Sequence, residues 1–184
     1  MSETKYSSDL LARAAKIKLL LLDCDGVMTD GRVYFLPDGQ GGIFETKGFD
    51  SHDGIALRWA KSAGIEIGII SGRQSAAVEE RARSIGMKYL YQGRTDKMPL
   101  FEEILKDSGL EPEQVAFVGD DVTDLPLLAR VGLAAAPADA RPEALEAAHF
   151  RASSSGGRGV VRDVIELLLK AQGHWSRVMA GYDF

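Results

Sequence analysis

Acidic residues are concentrated after two short apolar runs of this 184-residue sequence, and carboxylates at that density can hold a metal ion. The residues concerned are Asp23, Asp25, Asp120, Asp121 and Asp124. Like charges in one site repel one another and raise the pKa of some carboxyl groups unless a cation lies between them. Oxygen ligands that keep some water suit Mg²⁺, which proteins commonly hold together with phosphate oxygens. These acids therefore predict a Mg²⁺ site for chemistry on phosphate.

A hydroxyl group and two cations supply the remaining parts of a phosphate site. Ser71, Gly72 and Arg73 follow a third apolar run, and Lys97 opens a predicted helix. The backbone N–H groups around Gly72 lie at the predicted start of a helix, where unpaired donors bind anions. Ser71 has the alternative role of capping that helix, and Arg73 that of forming a surface salt bridge. Together these groups predict recognition of a phosphoryl group.

Short apolar runs alternate with amphipathic segments along most of the chain, which predicts an α/β fold. The predicted strands cover residues 17–22, 65–70, 88–91, 115–118, 133–136 and 149–151. The predicted helices cover residues 53–63, 74–85, 97–108, 122–131, 141–147 and 160–171. This alternation indicates a Rossmann-like parallel sheet with helices on both faces. Since ligand sites of open α/β sheets lie beyond the carboxyl ends of the strands, we expect the acids, the hydroxyl and the cations at one edge.

Three segments lie outside this alternation. Residues 27–48 predict a projecting β-hairpin, because two strand-like pieces flank a turn-rich centre. Residues 1–15 are expected to form an arm or a short helix, and residues 172–184 a tail without helical periodicity. The whole chain, residues 1–184, is expected to be a single domain, as its length indicates. The apolar residues of the hairpin need a covering partner, which favours oligomerisation.

Composition excludes several classes of function. One cysteine and three histidines do not provide a Cys/His zinc site. No apolar run approaches the ~20 residues of a membrane span, and we see no secretory signal. A net charge of −5 without a basic run argues against a nucleic-acid partner. We therefore expect a cytoplasmic protein that acts on a small molecule, with neither a nucleic acid nor a membrane as its partner.

Four motifs resemble those of the haloacid dehalogenase superfamily of phosphatases. They are Asp23-Cys24-Asp25-Gly26-Val27, Ile70-Ser71-Gly72-Arg73, Lys97 and Gly119-Asp120-Asp121-x-x-Asp124. Each motif alone is a weak signal, but the four stand in the order and on the predicted elements of that superfamily. The resemblance implies the haloacid dehalogenase fold, and the chain is too short for an inserted cap domain. Cys24 by itself suggests a thiol phosphatase, but that chemistry uses an arginine six residues on, where this sequence has Asp30.

The sequence is similar, over roughly residues 16–173, to the family of 3-deoxy-D-manno-octulosonate (KDO) 8-phosphate phosphatases. The additional matching segments are Thr29-Asp30-Gly31, Phe49 through Asp53-Gly54, Tyr91-Gln92-Gly93 and Gly156-Gly157-Arg158-Gly159. This resemblance implies a Mg²⁺-dependent phosphomonoester hydrolase of lipopolysaccharide biosynthesis, acting on a small sugar phosphate. It also implies a capless homotetramer in which the hairpins of the subunits join.

The resemblance further implies the roles of the acids. Asp23 attacks phosphorus and becomes an aspartyl-phosphate. Asp25 protonates the leaving sugar oxygen and then activates water to hydrolyse that intermediate. The Mg²⁺ ligands are Asp23, the backbone carbonyl of Asp25, and Asp120.

Five further residues receive implied roles around the reacting group. Ser71 and Lys97 hold the phosphoryl oxygens. Asp124 orients Lys97 or a metal-bound water, and Asp121 supports the site from behind. His52 lies in the region that faces the substrate, with an ordinary loop histidine as the alternative.

Several alternatives remain open at this point. A phosphatase for a nine-carbon keto-sugar acid 9-phosphate has the same motifs, and neither the hairpin nor the tail reveals the sugar. A non-catalytic assembly module of the same fold is the other alternative, against which the presence of Asp23 and Asp25 argues. The tail, residues 172–184, either is disordered or folds over the active site of a neighbouring subunit and helps to select the sugar.

Overall fold

A parallel sheet lies at the centre of the computed structural model, which describes residues 6–182 of the chain. Its strands are β1 (Leu19–Leu22), β4 (Glu66–Ile70), β5 (Tyr89–Tyr91), β6 (Val115–Val118), β7 (Leu133–Ala136) and β8 (Phe150–Arg151). A separate antiparallel hairpin consists of β2 (Tyr34–Pro37) and β3 (Ile43–Thr46). The strand order in the main sheet is β5-β4-β1-β6-β7-β8. The predicted fold class is thus confirmed, and no cap domain is inserted within the described residues.

The position of β1 at the centre of the sheet explains why its sequence is apolar throughout. Leu19 and Leu21 belong to the core on one face of the sheet, and Leu20 and Leu22 belong to the core on the other. β4 and β6 flank β1, and both run parallel to it. Parallel strands that are covered on both faces are continuously apolar. Each such fully buried leucine stabilises the fold by roughly 1.5–3 kcal/mol.

Helices cover both faces of the sheet. They are α1 (Ser8–Ala14), α2 (Ser51–Ser62), α3 (Ala76–Ile85), α4 (Met98–Ser108), α5 (Leu125–Leu128), α6 (Pro142–Ala147), α7 (Val160–Ala171) and α8 (Trp175–Ala180). α1, α2, α3 and α7 pack on one face, and α4, α5 and α6 pack on the other. Gly86 and Gly109 end α3 and α4 in the left-handed conformation that favours glycine. Between residues 6 and 182, no helix is both long enough and apolar enough to cross a membrane.

The helix predicted over residues 122–131 is in fact divided. A 3₁₀ turn covers Val122–Asp124, and the short helix α5 follows it. Pro126 lies in the first turn of α5, where its missing N–H costs nothing, but it cannot continue a helix from the preceding turn. The division places the carboxylate of Asp124 at the joint between the two pieces.

The start of α3 also differs from the predicted helix at residues 74–85. Ser75 has an extended backbone and precedes the first helical residue, Ala76. Ser71 is therefore not the cap of α3, and the loop of Ser71 and Gly72 is separate from the helix start. The capping role of Ser71 and the position of these two residues at a helix start are therefore wrong, and phosphate binding by Ser71 and Gly72 remains a prediction.

The C-terminal tail contains a helix that its sequence pattern did not predict. The rings of Trp175 and Tyr182 lie 5.9 and 6.0 Å from the ring of Trp59 on α2. Trp59 Nε1 donates a hydrogen bond to the Tyr182 hydroxyl at 3.2 Å. These tertiary contacts fix α8 against α2 of the same chain. The last residues of the tail, 183–184, lie outside the described residues, as do residues 1–5 of the arm.

Candidate active site

Most predicted site residues meet at the carboxyl edge of the parallel sheet. β1 ends at Leu22, and its neighbours β4 and β6 end at Ile70 and Val118. The strand order reverses beside β1, which is where open α/β sheets form a crevice. A cavity of about 380 Å³ opens there. Its lining residues are Asp23, Asp25, Ser71, Gly72, Arg73, Thr95, Lys97, Asp120, Asp121 and Thr123.

The turn after β1 brings two of the acidic segments into contact. Gly26 lies in this turn with φ +89°, a conformation that favours glycine. A Cβ atom at Gly26 would lie 2.1 Å from Oδ2 of Asp120. Only glycine therefore lets the loop after β6 approach the turn that follows Asp23.

Lys97 lies buried between two carboxylates. Its Nζ atom is 2.6 Å from Oδ1 of Asp23 and 2.6 Å from Oδ1 of Asp124. The second oxygen of Asp124, Oδ2, accepts hydrogen bonds from the backbone N–H groups of Asp120 (2.9 Å) and Asp121 (3.3 Å). Asp124 thus connects Lys97 to the loop that carries Asp120, although it does not itself line the cavity.

The acidic cluster fits a divalent cation. One carboxylate oxygen each from Asp23, Asp120 and Asp124 lie within 4.8 Å of one another. Oδ1 of Asp120 is buried and has no hydrogen-bond partner within the described part of the chain. Burial, with the nearby charges of Asp23 and Asp124, raises the pKa of Asp120 to about 8. A carboxyl group in this environment is stabilised as an anion by a bound metal ion.

Comparison with known proteins relates this geometry to enzymes. A family model for haloacid dehalogenase-like hydrolases matches residues 52–132. The 3-deoxy-D-manno-octulosonate 8-phosphate phosphatase KdsC of Yersinia pestis is 42% identical in an alignment of 180 residues, and the match covers 94% of this chain and 94% of the relative. The enzyme of the same name from Escherichia coli K12 is 43% identical over 167 residues, which cover 91% of this chain and 87% of the relative.

The chain belongs to the KDO 8-phosphate phosphatase family. A solved member from Moraxella catarrhalis, crystallised with magnesium, phosphate and KDO, has a TM-score of 0.92 and 32% identity. The match covers 97% of this chain and all of that one. The protein is accordingly a phosphatase with the haloacid dehalogenase fold, and both resemblances found in its sequence are confirmed.

Burial and charge together set the protonation of Asp23 and Lys97. Burial alone would lower the pKa of Lys97, but the carboxylates of Asp23 and Asp124 outweigh it, so the pKa of Lys97 is raised. Burial raises the pKa of Asp23 to about 6, although the Lys97 ammonium opposes this shift. A pKa of about 6 leaves the Asp23 carboxylate mostly ionised at neutral pH.

Asp25 is surrounded by charged residues that sequence reasoning did not connect to it. Lys47 Nζ donates to both oxygens of Asp25, at 2.6 and 2.9 Å. Arg73 Nε lies 3.4 Å from Oδ2 of Asp25. Glu45 faces the same cations, with Oε1 3.6 Å from Lys47 Nζ and Oε2 4.0 Å from Arg73 Nη1. Arg73 therefore both lines the cavity and forms a salt bridge, and its contact with the substrate remains a prediction.

The structure does not bring His52 into this cavity. His52 lies in the first turn of α2, and its exposed ring has Nδ1 3.6 Å from Oδ1 of Asp50. Ser71, in contrast, is buried beside the cavity, where its Oγ accepts from the backbone N–H of Arg73 at 3.3 Å. Burial raises the pKa of the Cys24 thiol to about 12, which argues further against a thiolate nucleophile. Substrate contact by His52 remains a prediction.

The sequence analysis missed two charged residues of this site, Lys47 and Glu45. Both lie at the end of the segment 27–48, which the sequence analysis interpreted only as a projecting hairpin. Their spacing of two residues places them on the same side of an extended segment, which was the available signal. Thr95 and Thr123 also line the cavity, and no motif distinguished them from ordinary loop residues.

Proposed function

We propose that the protein hydrolyses KDO 8-phosphate to KDO and phosphate, with Mg²⁺ as its cofactor and an aspartyl-phosphate as intermediate. The observation that carries this proposal is the buried Asp23 carboxylate. It lies 2.6 Å from Lys97 and lines the cavity, and one of its oxygens is within 4.8 Å of an oxygen of Asp120. Within residues 6–182, Oδ1 of Asp120 has no hydrogen-bond partner. The names of relatives that match more than nine-tenths of the chain support the choice of substrate.

In the first step, an oxygen of Asp23 forms a bond to phosphorus while the bond from phosphorus to the sugar oxygen breaks. Asp25 donates a proton to that departing oxygen. Lys97 and Ser71 bind the oxygens of the phosphoryl group, since both are buried beside the cavity and both can donate hydrogen bonds. Such preorganised donors stabilise the charge that develops on a phosphoryl group during transfer.

In the second step, Asp25 accepts a proton from a water molecule that attacks the aspartyl-phosphate. Phosphate leaves, and the carboxylate of Asp23 is restored. Asp25 is two residues beyond Asp23 and lines the same cavity, which fits one group serving as acid and then as base. General acid–base assistance of this kind contributes about 10²–10⁴-fold in rate.

Asp23, Asp120 and the backbone carbonyl of Asp25 would hold Mg²⁺. When bound, the ion neutralises negative charge on the phosphoryl oxygens and on the carboxylates. Asp124 binds Lys97 together with Asp23, and it orients the loop of Asp120 and Asp121 through their backbone N–H groups. Asp121 accepts a hydrogen bond from the Val122 N–H at 2.7 Å, so it supports that loop.

Three further features belong to the proposal. The enzyme would act in the cytoplasm, in lipopolysaccharide biosynthesis. It would form a homotetramer through the hairpin of β2 and β3. The exposed apolar side chains of the hairpin support this assembly; they are Tyr34, Phe35, Leu36, Ile43 and Phe44.

The test is phosphate release from a panel of sugar phosphates, measured with added Mg²⁺ and after chelation. The panel includes KDO 8-phosphate, a nine-carbon keto-sugar acid 9-phosphate and a hexose 6-phosphate. The proposal predicts the highest kcat/KM for KDO 8-phosphate and loss of activity on chelation, restored by Mg²⁺. Preference for the nine-carbon acid would reject the substrate, and full activity after chelation would reject the cofactor.

A further inference from the structure

We propose that Lys47, the first residue after the hairpin, is a positioning residue that holds Asp25 in its working orientation. The inference rests on the proposed function, because it takes Asp25 as the group that transfers protons. Lys47 belongs to none of the four sequence motifs. Its role follows from its burial, its contacts and its place at the root of the hairpin.

The ammonium group of Lys47 is buried and bonded to Asp25. Its side chain is 0% exposed, which is rare for a lysine unless its charge is paired. The ammonium group bonds to both oxygens of Asp25, at 2.6 and 2.9 Å. A bond to each oxygen fixes the rotation of the carboxylate as well as its position. Glu45 Oε1 lies further away, at 3.6 Å from Lys47 Nζ, and adds a second negative charge beside the ammonium.

Lys47 acts through Asp25 and not on the substrate. Within the described chain it is not among the residues that line the cavity, whereas Asp25 is. The side chain of Asp25 is 26% exposed and so faces the cavity while Lys47 lies behind it. Without Lys47, Arg73 would remain as a cationic partner of Asp25, at 3.4 Å from one oxygen. One such contact leaves the carboxylate free to rotate.

Orientation of Asp25 matters because proton transfer requires close alignment with the leaving oxygen. A misplacement of about 1 Å can cost about 10²-fold in rate. Lys47 follows β3 directly, so the hairpin also delivers the group that aligns Asp25. The hairpin root is thus part of the active site and not only a support for assembly.

The experiment compares two substrates that differ in their need for an acid. The sugar alkoxide of KDO 8-phosphate needs a proton to leave, whereas the nitrophenolate of p-nitrophenyl phosphate leaves without one. The variant Lys47→Met removes the ammonium and keeps an unbranched side chain. Lys47→Arg retains the charge, and Lys106→Met, at an exposed position of α4, is the matched control.

We expect Lys47→Met to lower kcat/KM about 100-fold for KDO 8-phosphate but less than about threefold for p-nitrophenyl phosphate. Lys47→Arg should recover at least part of the lost activity on the sugar phosphate, and Lys106→Met should match the wild type on both substrates. An equal loss on both substrates would overturn the proposal, because Lys47 would then bind the phosphoryl group or merely support the fold. No loss on KDO 8-phosphate would overturn it as well.

Folding and substrate choice are controlled separately. Circular dichroism and the thermal midpoint of each variant show whether it is folded. If Lys47→Met is not folded, the same comparison is made with Lys47→Arg and Glu45→Gln. For these variants a smaller but still selective loss of kcat/KM on the sugar phosphate is expected, and an equal loss on both substrates overturns the positioning role of Lys47. If the wild type cleaves p-nitrophenyl phosphate but not KDO 8-phosphate, the proposed substrate fails. The role of Lys47 is then decided with any primary alkyl phosphate that the wild type hydrolyses.

Discussion

At the scale of single residues, Lys97 joins two parts of the chain that are distant in sequence. Its ammonium lies between Asp23, at the end of β1, and Asp124, at the start of α5. The two carboxylates keep Lys97 protonated, because their attraction offsets the free-energy cost of burying the ammonium group. A phosphoryl group bound beside Asp23 would therefore meet a fixed positive charge and not a mobile one.

Asp53 is a buried acid outside the cavity whose protonation affects stability. It lies in the first turn of α2, and its Oδ1 accepts from the backbone N–H of Arg162 on α7 at 2.8 Å. Oδ2 is buried without a hydrogen-bond partner among residues 6–182. Burial raises the pKa of Asp53 from 3.8 to about 6. The folded state therefore favours the protonated carboxyl group more than the unfolded state does.

The sign of this effect gives a prediction for pH dependence. Below about pH 4, Asp53 is protonated in both states and its contribution to stability is complete. As pH rises from about 4 through about 6, the carboxyl group ionises in the unfolded state before it ionises in the folded state, and about 3 kcal/mol of stability is lost. The unfolding free energy of the wild type, relative to that of Asp53→Asn, should fall by most of this amount between pH 4 and 7. Urea denaturation at fixed protein concentration measures it, and a pH-independent difference between the two proteins would contradict it.

Single residues also show what the sequence can predict about the site. Asp23, Lys97 and Asp120 were placed at one edge because strand ends of a parallel sheet share that edge, and the structure brings them together there. Lys47 was missed because its partner, Asp25, lies on another element, and no local spacing reveals that contact. The contact of Ser71 with the cavity was expected, but its capping role was wrong, because the extended backbone of Ser75 delays the start of α3.

At the scale of elements, the loop before α7 supports the turn after β1. The backbone N–H of Gly157 donates to the carbonyl of Val27 at 2.8 Å. A Cβ atom at Gly156 would lie 1.9 Å from the carbonyl oxygen of Gly26. The two backbones therefore touch where no side chain fits. The predicted strand at residues 149–151 and the predicted helix at residues 160–171 leave a connecting segment here, but which element it packs against depends on the tertiary fold.

This contact predicts the effect of one added methyl group. Gly156→Ala should push the loop away from Gly26, displace the turn that carries Asp25, and lower kcat/KM at least tenfold. It should also lower stability by about 1–3 kcal/mol, the usual cost of overpacking. Phosphate release and thermal unfolding measure the two effects.

The control for that substitution is Gly181→Ala at the end of α8. Its added Cβ atom would lie 3.4 Å from the Val178 carbonyl oxygen, a distance that small shifts accommodate. The control should retain nearly wild-type activity and stability. Equal behaviour of Gly156→Ala and Gly181→Ala would show that the contact with Gly26 has no functional consequence.

At the scale of the whole molecule, the hairpin leaves apolar surface uncovered in the single chain. Phe35 and Ile43 are 64% and 72% exposed. They lie on one face of the hairpin, while Leu36 and Phe44 are paired on the other. A hairpin that is apolar on both faces is unfavourable in water. This surface supports the proposed assembly with further copies of the chain.

The assembly can be tested by placing charge on the hairpin. Phe35→Asp combined with Ile43→Asp should convert the wild-type oligomer to a monomer of about 19.9 kDa, because buried carboxylates without partners oppose association. Gln40→Asp, in the turn of the hairpin, is the control and should keep the wild-type mass. Sedimentation velocity measures the masses. A wild type that is itself monomeric, or an oligomer unaffected by the double substitution, would contradict the proposal.

The sequence was sufficient to predict the general architecture, but not the contacts of the C-terminal tail. Alternating strands and helices were sufficient to predict the parallel sheet, because strands such as β1 are apolar throughout. The helix α8 was not predicted, since it is fixed by Trp59 from a distant element and not by its own periodicity. Local pattern thus specifies elements with their own apolar face, and tertiary contacts specify the others.

The most direct test of the account is to look for phosphate on Asp23 during turnover. The enzyme is mixed with KDO 8-phosphate that carries a radiolabelled phosphate group and with Mg²⁺, and the reaction is quenched in acid within milliseconds. The protein is then digested and the labelled peptide is identified. We predict acid-stable label on the peptide that contains Asp23, no label in Asp23→Asn, and no phosphate release by that variant. Turnover by the wild type without label on this peptide, or near-normal phosphate release by Asp23→Asn, would contradict the covalent mechanism.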